Sequence, residues 1–564
     1  MKKVVLASII LALLLTHQLW QKGFPYTHDG ENHLARFANY YVAIKEGQIP
    51  PRFAPNLHNH YGYPVFNYNY PLANGLSVPF TIIDFSLETT FKIQATAALL
   101  LGILGCVWWL RLRGASWTGS FLAAWGASVS PIVMSTLLFR GNIGELWAWG
   151  LLPWLLGGVE TLFQKKPSVL EKLGLWVVLT AFLLSHNVTV LFGVALVWVY
   201  TLIRYGRVAQ ATELRSFLTW QVIGFLSSCW FWVPALVEKK FITLDGVDLS
   251  TSFSTHFPTL QQLVSSPLSF GFSQIGSIDS LSLGAGMWLW LCLVLLLGYA
   301  MAGVWRKQEL PKLVSIDTTL LVAALLLFQL SWTTPIWQVI PFAQFIQFPW
   351  RLLLLLSILS ASLFTRWQHW PYSMKWLIGL VLCIQSILIL RVVPVDRFHR
   401  TTEDYMAFSQ TTTTQNENMP KTFTFQEIAN WQPTPTVLNG SATFQVKRWT
   451  GSSRTYQVEA ITAATIIEPT MNFPGWQTRV VLLAGESSTK KEYQTEYVDS
   501  ESIGGRIAYS LEPGSYLVYT RFTEWTTARV LGDTATLAGL GLAFVWVSWP
   551  LMVARLSNRK HENN

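Results

Sequence analysis

Two side chains near the N-terminus could do acid–base chemistry together. In the stretch Tyr26-Thr-His-Asp-Gly-Glu-Asn-His33, Asp29 and His33 are four residues apart. On a helix that spacing puts both on one face. A carboxylate there could act as a general base, with Glu31 or His33 as its neighbour. Asp29, Glu31 and His33 together could also ligate a divalent cation, magnesium or manganese. The plain alternative is that Asp29 caps the helix that follows, because Asp is a favoured N-cap. Leu34, Phe37, Tyr41 and Ile44 recur at helical spacing up to Gly47, which describes an amphipathic helix lying on a membrane surface.

Other ionisable groups fall at the ends of apolar runs. Arg140 and Glu145 bracket the turn Arg140-Gly-Asn-Ile-Gly-Glu145. Ser185-His186-Asn187 separates two short runs, and Gln347-Phe-Pro-Trp-Arg351 opens another. Ionisable groups at membrane depth are costly unless paired or functional. The structural alternatives are a snorkelling Arg351, a structural Arg140–Glu145 ion pair and a satisfied helix-connecting His186. Asp29, Arg52, Arg140, Glu145, His186 and Arg351 are all predicted on the same side of the membrane, and no comparable set of acids is expected on the other. Arginine's planar fork matches phosphate oxygens, so Arg52, Arg140 and Arg351 are the candidates for holding a lipid phosphate.

The elements that must position these groups are membrane spans. The chain has 564 residues, 51% hydrophobic and 13% charged. Soluble chains carry about twice that charge fraction. Apolar runs at Val4–Trp20, 93–110, 117–135, 145–163, 173–186, 188–203, 216–237, 285–304, 316–332, 350–365, 376–393 and 532–554 predict about twelve spans. Basic residues cluster in alternate short loops, such as Arg111 and Arg113, Lys165 and Lys166, and Arg204 and Arg207. The positive-inside rule then puts both termini in the cytoplasm. The net charge of +9 is topological on this reading and does not indicate nucleic acid. The run 73–86 is left as interfacial or re-entrant.

Three larger segments are predicted outside: 21–72, 238–284 and 394–531. The last alternates apolar and polar residues between turns such as Pro474-Gly475 and Pro513-Gly514, which predicts an antiparallel β-sandwich. The expected fold class is a polytopic α-helical membrane protein with an extracytoplasmic β-sandwich before its last span. Residues 1–393 form the multi-span domain, 394–531 the sandwich, and 532–564 the final helix and cytoplasmic tail. Trp431, Trp476 and Trp525 are either sugar platforms or sandwich core. The four cysteines fall inside apolar runs, with no metal-binding spacing.

Several of these blocks together resemble one prokaryotic family. They are Asp29 with His33, Glu46-Gly-Gln-Ile-Pro-Pro-Arg52, Tyr61-Gly-Tyr-Pro-Val-Phe-Asn-Tyr-Asn-Tyr-Pro71, Glu145-Leu-Trp-Ala-Trp, Ser185-His-Asn187, Gln347-Phe-Pro-Trp-Arg351 and Pro474-Gly-Trp476. The family is labelled pyruvoyl-tetrahydropterin synthase-related membrane proteins. The resemblance implies kinship with the C-type glycosyltransferases (GT-C), polytopic enzymes that use polyprenyl-phosphate sugars with inversion and carry an acidic motif in the first outer loop. It implies Asp29 as base, with Glu31, His33 or Glu145 assisting. It also implies a substrate cavity lined by Tyr68, Tyr70, His186, Asn187 and Gln347. The acids here are spaced Asp-x-Glu, a departure from the family's adjacent or Asp-x-Asp forms. The expected partners are a polyprenyl-phosphate sugar donor, a glycan, lipid or protein acceptor, and the lipids of a prokaryotic plasma membrane. The rival expectations are a transporter or flippase of lipid-linked precursors and a non-enzymatic envelope assembly protein.

Overall fold

A computed structural model describes residues 1–246, 252–274, 280–305, 315–340, 346–484, 492–498 and 501–562. Each of the twelve apolar runs contains helix. Among the described residues, six helices are long and apolar enough to cross a membrane: Leu87–Leu112, Ile143–Gln164, Asn187–Tyr205, Pro349–His369, Tyr372–Leu390 and Thr527–Trp549. Three more predicted spans are bent pairs, broken by 52° after Ser128, 65° after Ser227 and 91° after Phe328. Counting each pair as one span gives nine. Lys2–Leu15 and Val169–Leu183, with 14 and 15 residues, are shorter than a crossing helix. Leu72–Ile82, the run set aside in sequence, is an 11-residue helix.

Helix starts follow local chemistry. Ser86, Ser116 and Asn142 each accept the third backbone N–H of the helix they open, and Ser168 with Glu171 forms a capping box. The helix Ile143–Gln164 is nearly all buried and packs along Leu87–Leu112.

The predicted sandwich is present, but it starts later than composition suggested. Its strands are β1 Thr436–Asn439, β2 Ala442–Trp449, β3 Ser453–Ala460, β4 Ala464–Met471, β5 Trp476–Ala484, β6 Glu492–Gln494, β7 Arg506–Leu511 and β8 Gly514–Phe522. One sheet runs β2-β3-β8-β5-β6 and the other β1-β4-β7, with every pair antiparallel. Tyr456, Val458, Ile466, Val480, Tyr509 and Val518 alternate inward from both sheets and share one core.

Residues 394–435 are not part of the sandwich. They form a strap over residues 21–72. Arg397–Phe398 pairs with Phe24–Pro25, the Tyr63 hydroxyl meets Thr413 Oγ1 at 2.7 Å, and Arg36 binds Thr412. The sandwich docks on the same segment: Gln48 donates to Ser452 Oγ (2.7 Å), and the Met471 amide donates to the Tyr61 carbonyl (2.9 Å). A buried ionic hub joins it to the last helix. There Arg529 pairs with Glu238 (3.0 Å) and donates to the carbonyls of Thr523 and Pro474.

Candidate active site

The helix Gly30–Lys45 places Asp29 at its N-cap, yet the carboxylate does not cap it. Thr27 Oγ1 takes the Gly30 amide instead (3.0 Å), so the capping explanation for Asp29 fails. The turn before this helix is fixed by backbone bonds to a distant segment: His28 N–H donates to the Phe139 carbonyl (3.0 Å), and Asp29 N–H to that of Arg140 (2.9 Å). Gly141 makes the approach possible. It sits at φ +61°, and a Cβ there would collide with Thr27.

This docking sets Asp29 against Asn142. As N-cap of Ile143–Gln164, Asn142 accepts the Glu145 amide on Oδ1 (3.0 Å). That fixes its orientation, so Nδ2 donates to Asp29 Oδ2 at 3.1 Å. Asp29 is half-buried, and among the described residues its Oδ1 has no hydrogen-bond partner. Tyr70 closes the group. Its hydroxyl donates to Asn142 Oδ1 (3.3 Å) and lies 3.4 Å from His33 Nε2. Gly144 admits that ring, since a Cβ there would overlap it.

Beneath lies Glu145, fully buried. Both its oxygens are held by Arg140, with Nη2 at 2.9 Å from Oε1. Arg351 Nε stands 3.3 Å from Oε1, and His186 Nε2 stands 3.7 Å from it. His186 accepts the Thr189 amide on Nδ1 (3.2 Å), which leaves the Nε2 proton facing Glu145. The Arg140 guanidinium stacks 4.8 Å from the centre of the Trp350 ring. Burial, reinforced by nearby Arg36 and His186, holds the His33 imidazole well below the usual histidine pKa, with Glu145 opposing. His33 is therefore neutral near pH 7, and its Nδ1 is buried without a hydrogen bond.

Asp29, His33, Tyr70, Arg140, Glu145, His186 and Arg351 thus converge from five separated stretches of the chain. Other expected members do not join them. Glu31, two residues from Asp29, turns to a different face and pairs with Arg400. Among the described residues, no group of three His, Cys, Asp or Glu could hold a metal. With Glu31 engaged by Arg400, the Asp29–Glu31–His33 ligand set is not assembled. Arg52 is fully buried elsewhere, with Nε 3.1 Å from Glu524 and Nη2 donating to the Trp230 carbonyl. It secures the sandwich rather than the cluster. Tyr68 points its hydroxyl to the Glu238 carbonyl (2.8 Å), and its own carbonyl accepts from Asn187 (2.9 Å). These two residues brace the wall behind His186. Gln347 is half-buried just before Arg351. Among the candidate sugar platforms, Trp476 is buried where the sandwich meets Phe53, outside the sandwich core, Trp431 is half-buried with its indole N–H on the Pro469 carbonyl, and Trp525 is exposed.

Sequence reasoning missed Asn142, although an Asn directly before an apolar helical run is a visible N-cap signal. It also missed a second buried acid–base cluster at the other end of the bundle. Glu160, on the same helix as Glu145, accepts from Tyr205 (2.6 Å), Tyr200 and Gln164. Arg113 and Arg204 bridge it to Asp317. The expectation of no comparable acids there is corrected.

No protein-family model matches the chain, so the likeness to a pyruvoyl-tetrahydropterin synthase-related family is carried by its motif residues alone. No curated protein matches it in sequence. Among solved structures, the chain is similar to the arabinofuranosyltransferase AftD from Mycobacteria. The TM-score is 0.45 at 16% identity, over 69% of this chain and 26% of that one. It is also similar to the Archaeoglobus fulgidus oligosaccharyltransferase in the apo form, with TM-score 0.46 and 11% identity, over 75% of this chain and 61% of that one. The chain therefore spans about a quarter of the first protein's length and less than two thirds of the second's.

Proposed function

We propose that the chain is a membrane glycosyltransferase. It moves a sugar from a polyprenyl-phosphate donor to a hydroxyl of a glycan, lipid or protein acceptor on the outer face of a prokaryotic plasma membrane. The observation that carries this reading is a half-buried carboxylate, Asp29, beside the buried Arg140–Glu145 pair and the half-buried Arg351 at the ends of apolar helices.

In this reading Asp29 Oδ1 takes the proton of the acceptor hydroxyl, and the acceptor oxygen bonds to the anomeric carbon. The bond from that carbon to the phosphate oxygen breaks on the opposite face. The electron pair leaves with the polyprenyl phosphate, and the configuration inverts. Asn142 aims Asp29, and Glu145 holds two guanidinium groups in place before the phosphate arrives. With one carboxylate between two arginines, the pair keeps one positive charge for the leaving group. Neutral His33 and Tyr70 supply hydrogen bonds without adding charge. The donor set does not fit a metal, and no step is drawn through one.

Purified full-length protein mixed with lipid-linked sugars and envelope extract from its source should release free polyprenyl phosphate, followed by mass spectrometry. Asp29→Asn should slow release by about 10²-fold or more while keeping the wild-type melting temperature. Equal release by both proteins would remove Asp29 from the chemistry. No release with any donor, from folded protein, would favour the transporter reading.

A further inference from the structure

Buried arginines in this fold come with carboxylates. Arg140 has Glu145, which it shares with the half-buried Arg351, Arg454 has Glu468, Arg529 has Glu238 and Arg52 has Glu524. The reason is physical, since an unpaired buried charge forfeits its hydration with nothing in exchange.

Arg36 breaks the pattern. It is 8% exposed, and its partners are neutral oxygens of one residue: Nε donates to Thr412 Oγ1 (3.1 Å), and Nη2 donates to the Thr412 carbonyl. Among the described residues, no carboxylate lies within ion-pair distance of it. Its place in the fold is equally specific. Arg36 follows His33 by three residues and Asp29 by seven, so all three share one face of the helix Gly30–Lys45. Its field reaches His33 and Tyr70, both in the cluster. Counting Arg36, which shares a helix face with Asp29 and His33, the site has three arginines, Arg36, Arg140 and Arg351, against two carboxylates, Asp29 and Glu145. One positive charge is left over, the charge that a phosphodiester neutralises.

We infer that Arg36 is an anion-binding residue of the site, whose missing counter-charge is the phosphate of a lipid-linked ligand. This rests on reading the cluster as a sugar–phosphate site. It replaces Arg52, which the sequence suggested for the role, with an arginine that stands beside the chemistry and is not already neutralised.

The test uses the purified full-length protein in detergent, with dodecyl phosphate, inorganic phosphate and dodecanol as probes, read by calorimetry and melting temperature. Dodecyl phosphate should bind wild type, and dodecanol should bind far more weakly. Arg36→Gln should weaken dodecyl phosphate binding by about 10-fold or more, and Arg36→Lys should recover part of that loss. Without ligand, Arg36→Gln should melt at or above the wild-type temperature, because it removes an uncompensated charge. Unchanged binding by Arg36→Gln, or a lower melting temperature of the ligand-free variant with unchanged binding, would make Arg36 an anchor for Thr412 and overturn the inference. Inorganic phosphate binding as tightly as dodecyl phosphate, with the same dependence on Arg36, would overturn the lipid source and leave free phosphate as the ligand. If wild type releases polyprenyl phosphate but Arg36→Gln binds the probe normally, only this inference falls. If Arg36-dependent binding appears with no donor cleavage, the transferase reading falls instead.

Discussion

One helix, Ile143–Gln164, carries two fully buried carboxylates, and their surroundings differ in kind. Glu145 and Glu160 are fifteen residues apart, about 22 Å along the axis. Glu160 is closed. Two tyrosines and a glutamine donate to it, and Arg113 and Arg204 are balanced by Glu160 and Asp317 together. Nothing there lacks a counter-charge. Glu145 is open. It faces two arginines and His186, with no second carboxylate bridging them among the described residues, and the half-buried Asp29 and an unbonded His33 Nδ1 stand beside it. A closed cluster with balanced charge clamps helices together, whereas an open one has charge left for a ligand.

Neutralising each acid should separate these roles. Glu145→Gln strands the buried Arg140 and should cost about 3–5 kcal/mol of stability, whereas Glu160→Gln leaves Asp317 beside Arg113 and Arg204 and should cost less. Melting in detergent would measure it. The catalytic outcomes should diverge. At a temperature where both variants remain folded, Glu160→Gln should keep near-wild-type release of polyprenyl phosphate. Glu145→Gln should lose most of it, because the two guanidinium groups are no longer held for the phosphate. Equal losses in both would mean that Glu145 is another clamp.

The two clusters also show what could be read in the sequence. The Asp29–His33 spacing showed a shared helix face but not the distant partner Asn142, whereas the Arg140-to-Glu145 turn was legible because its pair is local. Glu145 lies five residues from Arg140, and Asn142 lies between them. Arg52 and Glu31 were misplaced because their partners, Glu524 and Arg400, are hundreds of residues away. No spacing rule reaches across that separation. The Glu160 cluster was hidden for a different reason. Arg113 and Arg204 fall where the sequence predicts basic loops that the positive-inside rule already accounts for, so nothing asked for Asp317 or Glu160 as partners. The sandwich was visible from alternation, but the strap at 394–435 has no period. Its docking rests on scattered long-range contacts such as Tyr63 with Thr413 and Phe24 with Phe398.

A smaller effect would sharpen the contrast on the open side. The folded-state pKa of His33 is depressed by burial, so between that value and the unfolded one near 6.5 the unfolded chain binds the extra proton. Stability from this group is therefore full above about pH 6.5 and is lost as pH falls toward the folded pKa. Melting temperatures between pH 7.5 and pH 5 should drop more steeply for wild type than for His33→Asn. Parallel slopes would show that His33 does not sense pH in the folded protein.

The smallest effect is expected at Glu31, and it decides whether the acidic pair of the first outer segment works as a pair. The partners Glu31 and Arg400 are both partly exposed, and such pairs contribute about 0–1 kcal/mol. Glu31→Gln should therefore leave melting and polyprenyl phosphate release close to wild type, and the response to a chelator should be the same in both proteins. If Glu31→Gln instead abolished release as Asp29→Asn does, and added magnesium or manganese restored wild type after chelation, the carboxylate would have to leave Arg400 in the working enzyme. The two acids would then act together on a metal. The geometry argues for the first outcome, because the same helical twist that turns Asp29 toward Asn142 carries Glu31 away from it.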